Sequence, residues 1–212
     1  MKPSPYRLCY ITDRLGLAPE PLLLRVQAAA RAGVDLIQLR EKDLPTQELL
    51  KLAEAAIGAC RGTVTKIVIN DRLDIALGAA ADGIHLGGES LPAEIVRREA
   101  GEDFLIGVSC HSLDGALRAE AAGSDYLLLG PIFETPSKLR YGPPLGLAKL
   151  EEVAKRTSIP VIALGGVTVE KAGACLAAGA KGIAGIRIFQ DCPSLAERVR
   201  ELRAQFPSQA GN

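Results

Sequence analysis

The residues able to do chemistry sit in short polar clusters, each directly after an apolar run. Gln38-Leu-Arg40-Glu-Lys42 ends one such run, and alternation along a strand end would set Gln38, Arg40 and Lys42 on one face. Two cations and an amide converging inward suit a polyanionic or heteroaromatic substrate, since inward charge is costly without a partner. The structural alternative is that Arg40 pairs with a carboxylate such as Asp71. Asn70-Asp71 ends another run, where Asp71 could bind Mg²⁺ together with water and phosphate oxygens, or could cap a short helix starting at Arg72. His111 lies past Ser109 on the same expected face and is the best acid/base candidate, because an imidazole titrates near neutrality. His85 reads equally as a satisfied core residue or a functional one. Two histidines without a third His or Cys ligand argue against zinc.

These clusters need elements to position them. Apolar runs place strands at Tyr6 to Thr12, Val34 to Leu39, Lys66 to Asn70, Asp82 to His85, Phe104 to Ser109, Asp125 to Leu129, Ile159 to Leu164 and Lys181 to Ile186. Helical spacing falls between them, at Pro21 to Ala32, Gln47 to Cys60, Arg72 to Ala79, Pro92 to Glu99, Leu113 to Ala122, Leu147 to Arg156, Val169 to Ala178 and Ser194 to Gln205. The joints RAGVDLIQL, GAAADGIHL, EAAGSDYLLL and LAAGAKGIAGI repeat small residues, usually with a helix-ending Gly, before a strand. The strands are Val, Ile and Leu runs with little alternation, as in a parallel sheet covered on both faces. Eight alternating units predict an α/β fold, a single-domain (β/α)8 barrel spanning 1–212, with a core over about 6–206 and a short flexible C-terminal tail. A doubly wound open sheet is disfavoured, because ITDRLGLAP lacks a dinucleotide glycine fingerprint.

In such a barrel the chemistry gathers where strands end. Gly165 and Gly166 end the seventh strand ahead of Thr168, and Gly182, Gly185 and Arg187 surround the eighth. Loops at those positions can cradle phosphate on backbone N–H groups; the alternative is tight turns needing positive φ. After the sixth strand, Pro131, Pro136, Pro143 and Pro144 interrupt a loop carrying Thr135, Ser137, Lys138, Arg140 and Tyr141. A compact domain rarely spends so long a connection without function.

The chain has 212 residues, 48% hydrophobic and 24% charged, enough for a sizeable core. Lys plus Arg and Asp plus Glu are both 25, so no basic balance points to nucleic acid or an anionic membrane. No apolar run approaches the roughly 18 residues of a spanning helix, and the N-terminus lacks a signal-type segment, which predicts a soluble cytosolic protein. Five widely spaced cysteines without a C-x-x-C pair read as buried hydrophobes, and Cys110 should face away from its neighbour His111. Base rates for soluble enzymes make a homodimer the expected state.

YITDR, IQLREK, INDRLDIA, ADGIHLG, IGVSCHS, DYLLLGPIFETPSK, IPVIALGGV and AGAKGIAGI occur in this order from Tyr10 to about Ile188. With them the chain resembles the thiamine phosphate synthase and thiazole tautomerase superfamily. For a synthase, the resemblance implies coupling of hydroxymethylpyrimidine pyrophosphate to a thiazole phosphate, with release of pyrophosphate and dependence on Mg²⁺. It assigns the pyrimidine and its pyrophosphate to Gln38, Arg40, Lys42, Asn70 and Lys138, the metal to Asp71, and a place beside the reacting pyrimidine to Ser109. The thiazole phosphate falls to Thr135, Ser137, Gly165 and Gly166, with Gly185 and Arg187 beside them.

Three departures stand out. Ser90 occupies the place of a second metal-binding Asp, with Glu89 one residue off, and Arg187 stands where a small Ser is usual. Phe133-Glu134-Thr135 and Cys110-His111-Ser112-Leu113 are similar to the tautomerase branch, which uses no metal and would make His111 a proton shuttle on a carboxythiazole phosphate. A binding protein that keeps the phosphate cup without turnover is the non-enzymatic alternative.

Overall fold

A computed structural model of the chain describes residues 6–17, 19–135 and 143–207. Eight apolar runs form strands β1 (Leu8–Ile11), β2 (Leu36–Leu39), β3 (Lys66–Asn70), β4 (Gly83–Leu86), β5 (Leu105–Cys110), β6 (Tyr126–Leu129), β7 (Val161–Leu164) and β8 (Gly182–Gly185). They pair in parallel in sequence order, and β8 closes on β1. Around them run α1 (Arg14–Leu17), α2 (Leu22–Ala32), α3 (Thr46–Ala59), α4 (Leu73–Gly78), α5 (Ala93–Ala100), α6 (Leu113–Ala121), α7 (Gly146–Arg156), α8 (Val169–Ala177), α9 (Arg187–Gln190) and α10 (Leu195–Ala204). The molecule is a (β/α)8 barrel. Among the described residues no helix is long and apolar enough to cross a membrane.

The period of two along each strand separates two cores. Cys9, Leu36, Val68, Leu105, Tyr126, Leu128, Ile162 and Ala184 cluster together inside the barrel. Ile37, Ile69 and Leu127 point the other way and pack with helix residues such as Val26, Ala53 and Ala116. Among them Tyr126 places a fully buried ring in the interior. A Cβ at Gly107 would lie 2.0 Å from Tyr126 Cζ, so the glycine makes room for that ring. With apolar side chains filling the interior, Gln38, Asn70, His85 and Ser109, each two residues beyond an inward-facing position or at its level, point into the upper barrel.

At the opposite end, a carboxylate lies just before β2, β4 and β6. Asp35 Oδ2 accepts from the backbone N–H groups of Arg7 and Leu8 at 2.9 and 2.8 Å. Asp82 does the same for Ile67 at 2.8 Å, and Asp125 for Ile106 at 2.7 Å. Each pairs with a cation, Arg203 at 2.6 Å, Lys66 at 2.7 Å and Arg97 at 2.8 Å respectively. Three of the four repeated joints therefore satisfy strand donors that the ladder leaves unpaired.

Most strands are shorter than the apolar runs suggested. The run from Tyr6 yields a strand only from Leu8, since Asp35 rather than a neighbouring strand takes the N–H groups of Arg7 and Leu8. Two short helices were not anticipated, α1 and α9. Arg187, expected to flank the eighth strand, stands two residues past β8 and opens α9. The expected tail beyond residue 207 lies outside the described residues.

Candidate functional site

The expected common face of Gln38, Arg40 and Lys42 holds only in part, because β2 ends at Leu39 and strand alternation ends with it. Gln38 is 2% exposed and points inward, and its Nε2 has no hydrogen-bond partner. A buried, unpaired amide N–H of this kind is costly unless a ligand accepts from it. Arg40 and Lys42 are exposed at the rim instead of buried. Between them Glu41 turns inward against the loop after β1, at 4% exposure. It accepts from Thr12 Oγ1 at 2.5 Å and from the N–H of Arg14 at 3.1 Å. Burial raises the Glu41 pKa above the ordinary carboxylate value, against the opposing bonds from Thr12 and Arg14. Sequence reading missed Glu41, and the only signal available was the end of the apolar run at Leu39.

Asp71 follows β3 with φ of 61°, a conformation that few non-glycine residues adopt and that Asp tolerates better than most. Its carboxylate is surrounded by donors from three segments. Oδ2 receives Asn70 Nδ2 at 2.7 Å and lies 3.2 Å from Lys42 Nζ. Oδ1 receives the N–H of Gly87 at 3.2 Å and a short hydrogen bond from Ser90 Oγ. Burial pushes its pKa up, but the bonds from Ser90, Lys42 and Gly87 outweigh that, and Asp71 stays ionised below the usual range. Two alternatives are corrected here. Asp71 does not cap α4, whose N-cap is Arg72 without a side-chain bond, and its ion-pair partner is Lys42 rather than Arg40. Glu89 is exposed, and Ser90 is the residue that reaches Asp71.

Buried His85 and half-buried Ser109 form a pair on adjacent strands. His85 Nε2 lies 2.8 Å from Ser109 Oγ, and Nδ1 lies 3.2 Å from the Tyr126 hydroxyl. Burial drives the His85 pKa down to about 3, with Arg40 pushing the same way and Asp71 opposing. The ring is thus neutral and fixes the Ser109 hydroxyl. His111 lies just past β5, exposed, with Nδ1 donating to the carbonyl of Gly130. Cys110 faces the helix layer, where burial raises its thiol to about pKa 11, so it is an inert core residue.

On the other side, the loops after β6 and β7 run backbone against backbone. Ile132 N–H donates to Leu164 O at 2.9 Å and Phe133 N–H to Gly165 O at 3.0 Å. Gly165 and Gly166 have φ of 92° and 65°. A Cβ on Gly165 would lie 2.7 Å from Pro131, and one on Gly166 would lie 2.5 Å from the Glu134 carbonyl. The glycines are needed for this contact as well as for the turn. Thr135 follows Glu134 directly at this seam. Gly185 ends β8 beside Ile188, and Arg187 is exposed on α9. Ser137 and Lys138, with Pro136, Arg140 and Tyr141, lie outside the described residues.

The mouth thus carries a cation and carboxylate cluster from the β2, β3 and β4 ends and a glycine turn from the β6 and β7 ends. A family model described as thiamine monophosphate synthase matches residues 8–189. A thiamine-phosphate synthase of Chlorobium luteolum is 44% identical over 197 residues, covering 93% of this chain and 91% of its own. One from Roseiflexus sp. is 39% identical over 198 residues, covering 93% and 84%. The structure of thiamine phosphate pyrophosphorylase from Pyrococcus furiosus superimposes with a TM-score of 0.84 at 34% identity, covering 94% of this chain and 95% of that one. With the barrel in agreement and the family model matching from β1 into α9, the chain belongs to the thiamine monophosphate synthase family.

Proposed function

We propose that the protein couples hydroxymethylpyrimidine pyrophosphate to a thiazole phosphate, forming thiamine phosphate and releasing pyrophosphate. The observation that carries this is the cluster at the β2, β3 and β4 ends, where Lys42, Asn70 and Ser90 converge on an ionised Asp71. It offers a diphosphate both positive charge and a carboxylate anchor for a metal. Gln38, with its unpaired buried amide, accepts the pyrimidine nearby by donating to a ring acceptor.

The donor set fits Mg²⁺: one carboxylate oxygen of Asp71 and the hydroxyl oxygen of Ser90 are hard ligands, and this ion commonly takes its remaining positions from water and phosphate. No group of three or more His, Cys, Asp or Glu side chains among the described residues could hold a metal, so the substrate would complete the shell. When bound, Mg²⁺ supplies counter-charge for the diphosphate.

In the reaction, the bond from the pyrimidine methylene carbon to the diphosphate oxygen breaks and its electron pair leaves with the diphosphate. Arg40, Lys42 and Lys138 hold the negative charge that develops on that leaving group. The remaining pyrimidine cation is stabilised by resonance, and the thiazole nitrogen donates the pair that forms the new C–N bond. Ser109, fixed by His85, lies beside the pyrimidine and holds its orientation. The backbone at Gly165 and Gly166, with Thr135, Ser137, Gly185 and Arg187, binds the thiazole phosphate and brings its nitrogen to the cation. Little proton transfer is required, which leaves His111 a secondary role.

The direct test incubates pure protein with both substrates and Mg²⁺. Thiamine phosphate and pyrophosphate should appear in equal amounts. Recovery of both substrates unchanged, or proton exchange on a carboxythiazole phosphate that depends on His111, would favour a binding protein or an isomerase instead.

A further inference from the structure

Glu41 is the only buried carboxylate among the described residues, and it lies in sequence between two cations assigned to the diphosphate. Its bonds form a closed set. Thr12 N–H donates to Gln38 O at 2.9 Å, and Arg40 N–H donates to Thr12 Oγ1 at 3.0 Å. The Thr12 hydroxyl in turn donates to Glu41 Oε1 at 2.5 Å. Glu41 also takes the Arg14 N–H at 3.1 Å and lies 3.8 Å from Arg14 Nε. Arg40 and Glu41, just past the last ladder pair of β2, are therefore tied to the end of β1. Burying a lone carboxylate is unfavourable, and its partners here are a hydroxyl, a backbone N–H and a distant guanidinium. Of the two residues that flank Glu41, Arg40 is bonded into this set through its N–H, and Lys42 follows Glu41 directly in the chain.

We propose that Glu41, acting through Thr12, is a positioning residue for the diphosphate site: it turns away from the mouth and thereby sets Arg40 and Lys42 toward it. The inference rests on the assignment of Arg40 and Lys42 to the diphosphate. Neither Glu41 nor Thr12 touches substrate in this arrangement. Their effect is to hold the two cations in place before the ligand arrives, which lowers the ordering cost of binding.

Calorimetry of the full chain with inorganic pyrophosphate and Mg²⁺ tests it, with thiazole phosphate as a second ligand for the opposite side of the mouth. Glu41→Gln keeps the size but sets an amide against donors, and should weaken pyrophosphate binding about tenfold or more, as expected for loss of a charge-assisted hydrogen bond. Thiazole phosphate affinity should stay within about twofold, and KM for the pyrimidine substrate should rise more than kcat falls. Thr12→Val should act in the same direction, and Thr12→Ser, which restores the hydroxyl, should rescue. The Thr12 pair decides the matter if Glu41→Gln fails to fold. Arg40→Ala and Lys42→Ala serve as controls. If they weaken pyrophosphate while Glu41→Gln and Thr12→Val do not, or if those two weaken both ligands equally, the positioning role is overturned. If Arg40→Ala and Lys42→Ala leave pyrophosphate unchanged, the diphosphate assignment itself is wrong and the proposal falls with it.

Discussion

Asp71 is the residue on which the mouth depends, held ionised by Ser90, Lys42 and the N–H of Gly87 against the pull of burial. Asp71→Asn should lower kcat/KM by about a hundredfold or more, as expected when counter-charge for a leaving group is lost, and steady-state kinetics over a Mg²⁺ series checks it. Lys138→Ala should reduce turnover comparably. A second residue-scale expectation concerns pH. His85 has a pKa of about 3 in the folded protein and an ordinary value when unfolded. Between those values the unfolded chain binds the extra proton, so stability should be complete above about pH 6.5 and fall by about 1.4 kcal/mol per unit below it. Urea titrations from pH 7 to 4 should show the slope, and His85→Asn should flatten it. At this scale the sequence was uneven. Asn70 and Asp71 were recognisable from their place after a strand, whereas Glu41 was not, because its burial comes from where β2 stops. The choice between core and functional roles for His85 also needed the structure, which placed its Nε2 on Ser109.

The elements explain why these residues meet. Apolar runs and Gly-ended joints were enough to place eight strands, since parallel strands buried on both faces must be Val, Ile and Leu rich. The use of the joints was not legible, because Asp35, Asp82 and Asp125 fell inside the expected strands and the sequence does not show that their carboxylates bond to neighbouring strands. Asp125→Ala should cost about 1–3 kcal/mol by leaving the Ile106 N–H without its acceptor and removing the ion pair with Arg97, measurable by urea unfolding. The seam between the β6 and β7 loops leads to a different expectation. Gly166→Ala puts a Cβ 2.5 Å from the Glu134 carbonyl at a positive φ, so it should displace that loop. Thiazole phosphate affinity should drop about tenfold or more while pyrophosphate affinity stays near its original value, read by calorimetry of each ligand.

Across the whole molecule, the barrel separates stability from chemistry along its axis. One end is tied by aspartate clamps and the interior is packed around Tyr126, while the strand ends opposite carry the polar residues. Within that mouth, two phosphate-bearing partners are assigned to opposite sides, one on the Arg40, Lys42 and Asp71 cluster and one on the Gly165-Gly166 turn. The fold was legible from the sequence because it follows from repeated patterns. The proposed division of the mouth rests on resemblance, since spacing along the chain does not say which strand ends face each other. A crystal structure with pyrophosphate, Mg²⁺ and thiazole phosphate bound is the most direct test. The account expects pyrophosphate in contact with Arg40 and Lys42, the metal on Asp71, and the thiazole phosphate on the backbone of Gly165 and Gly166. Pyrophosphate seated on the glycine turn, or bound without contact to Arg40 and Lys42, would contradict it.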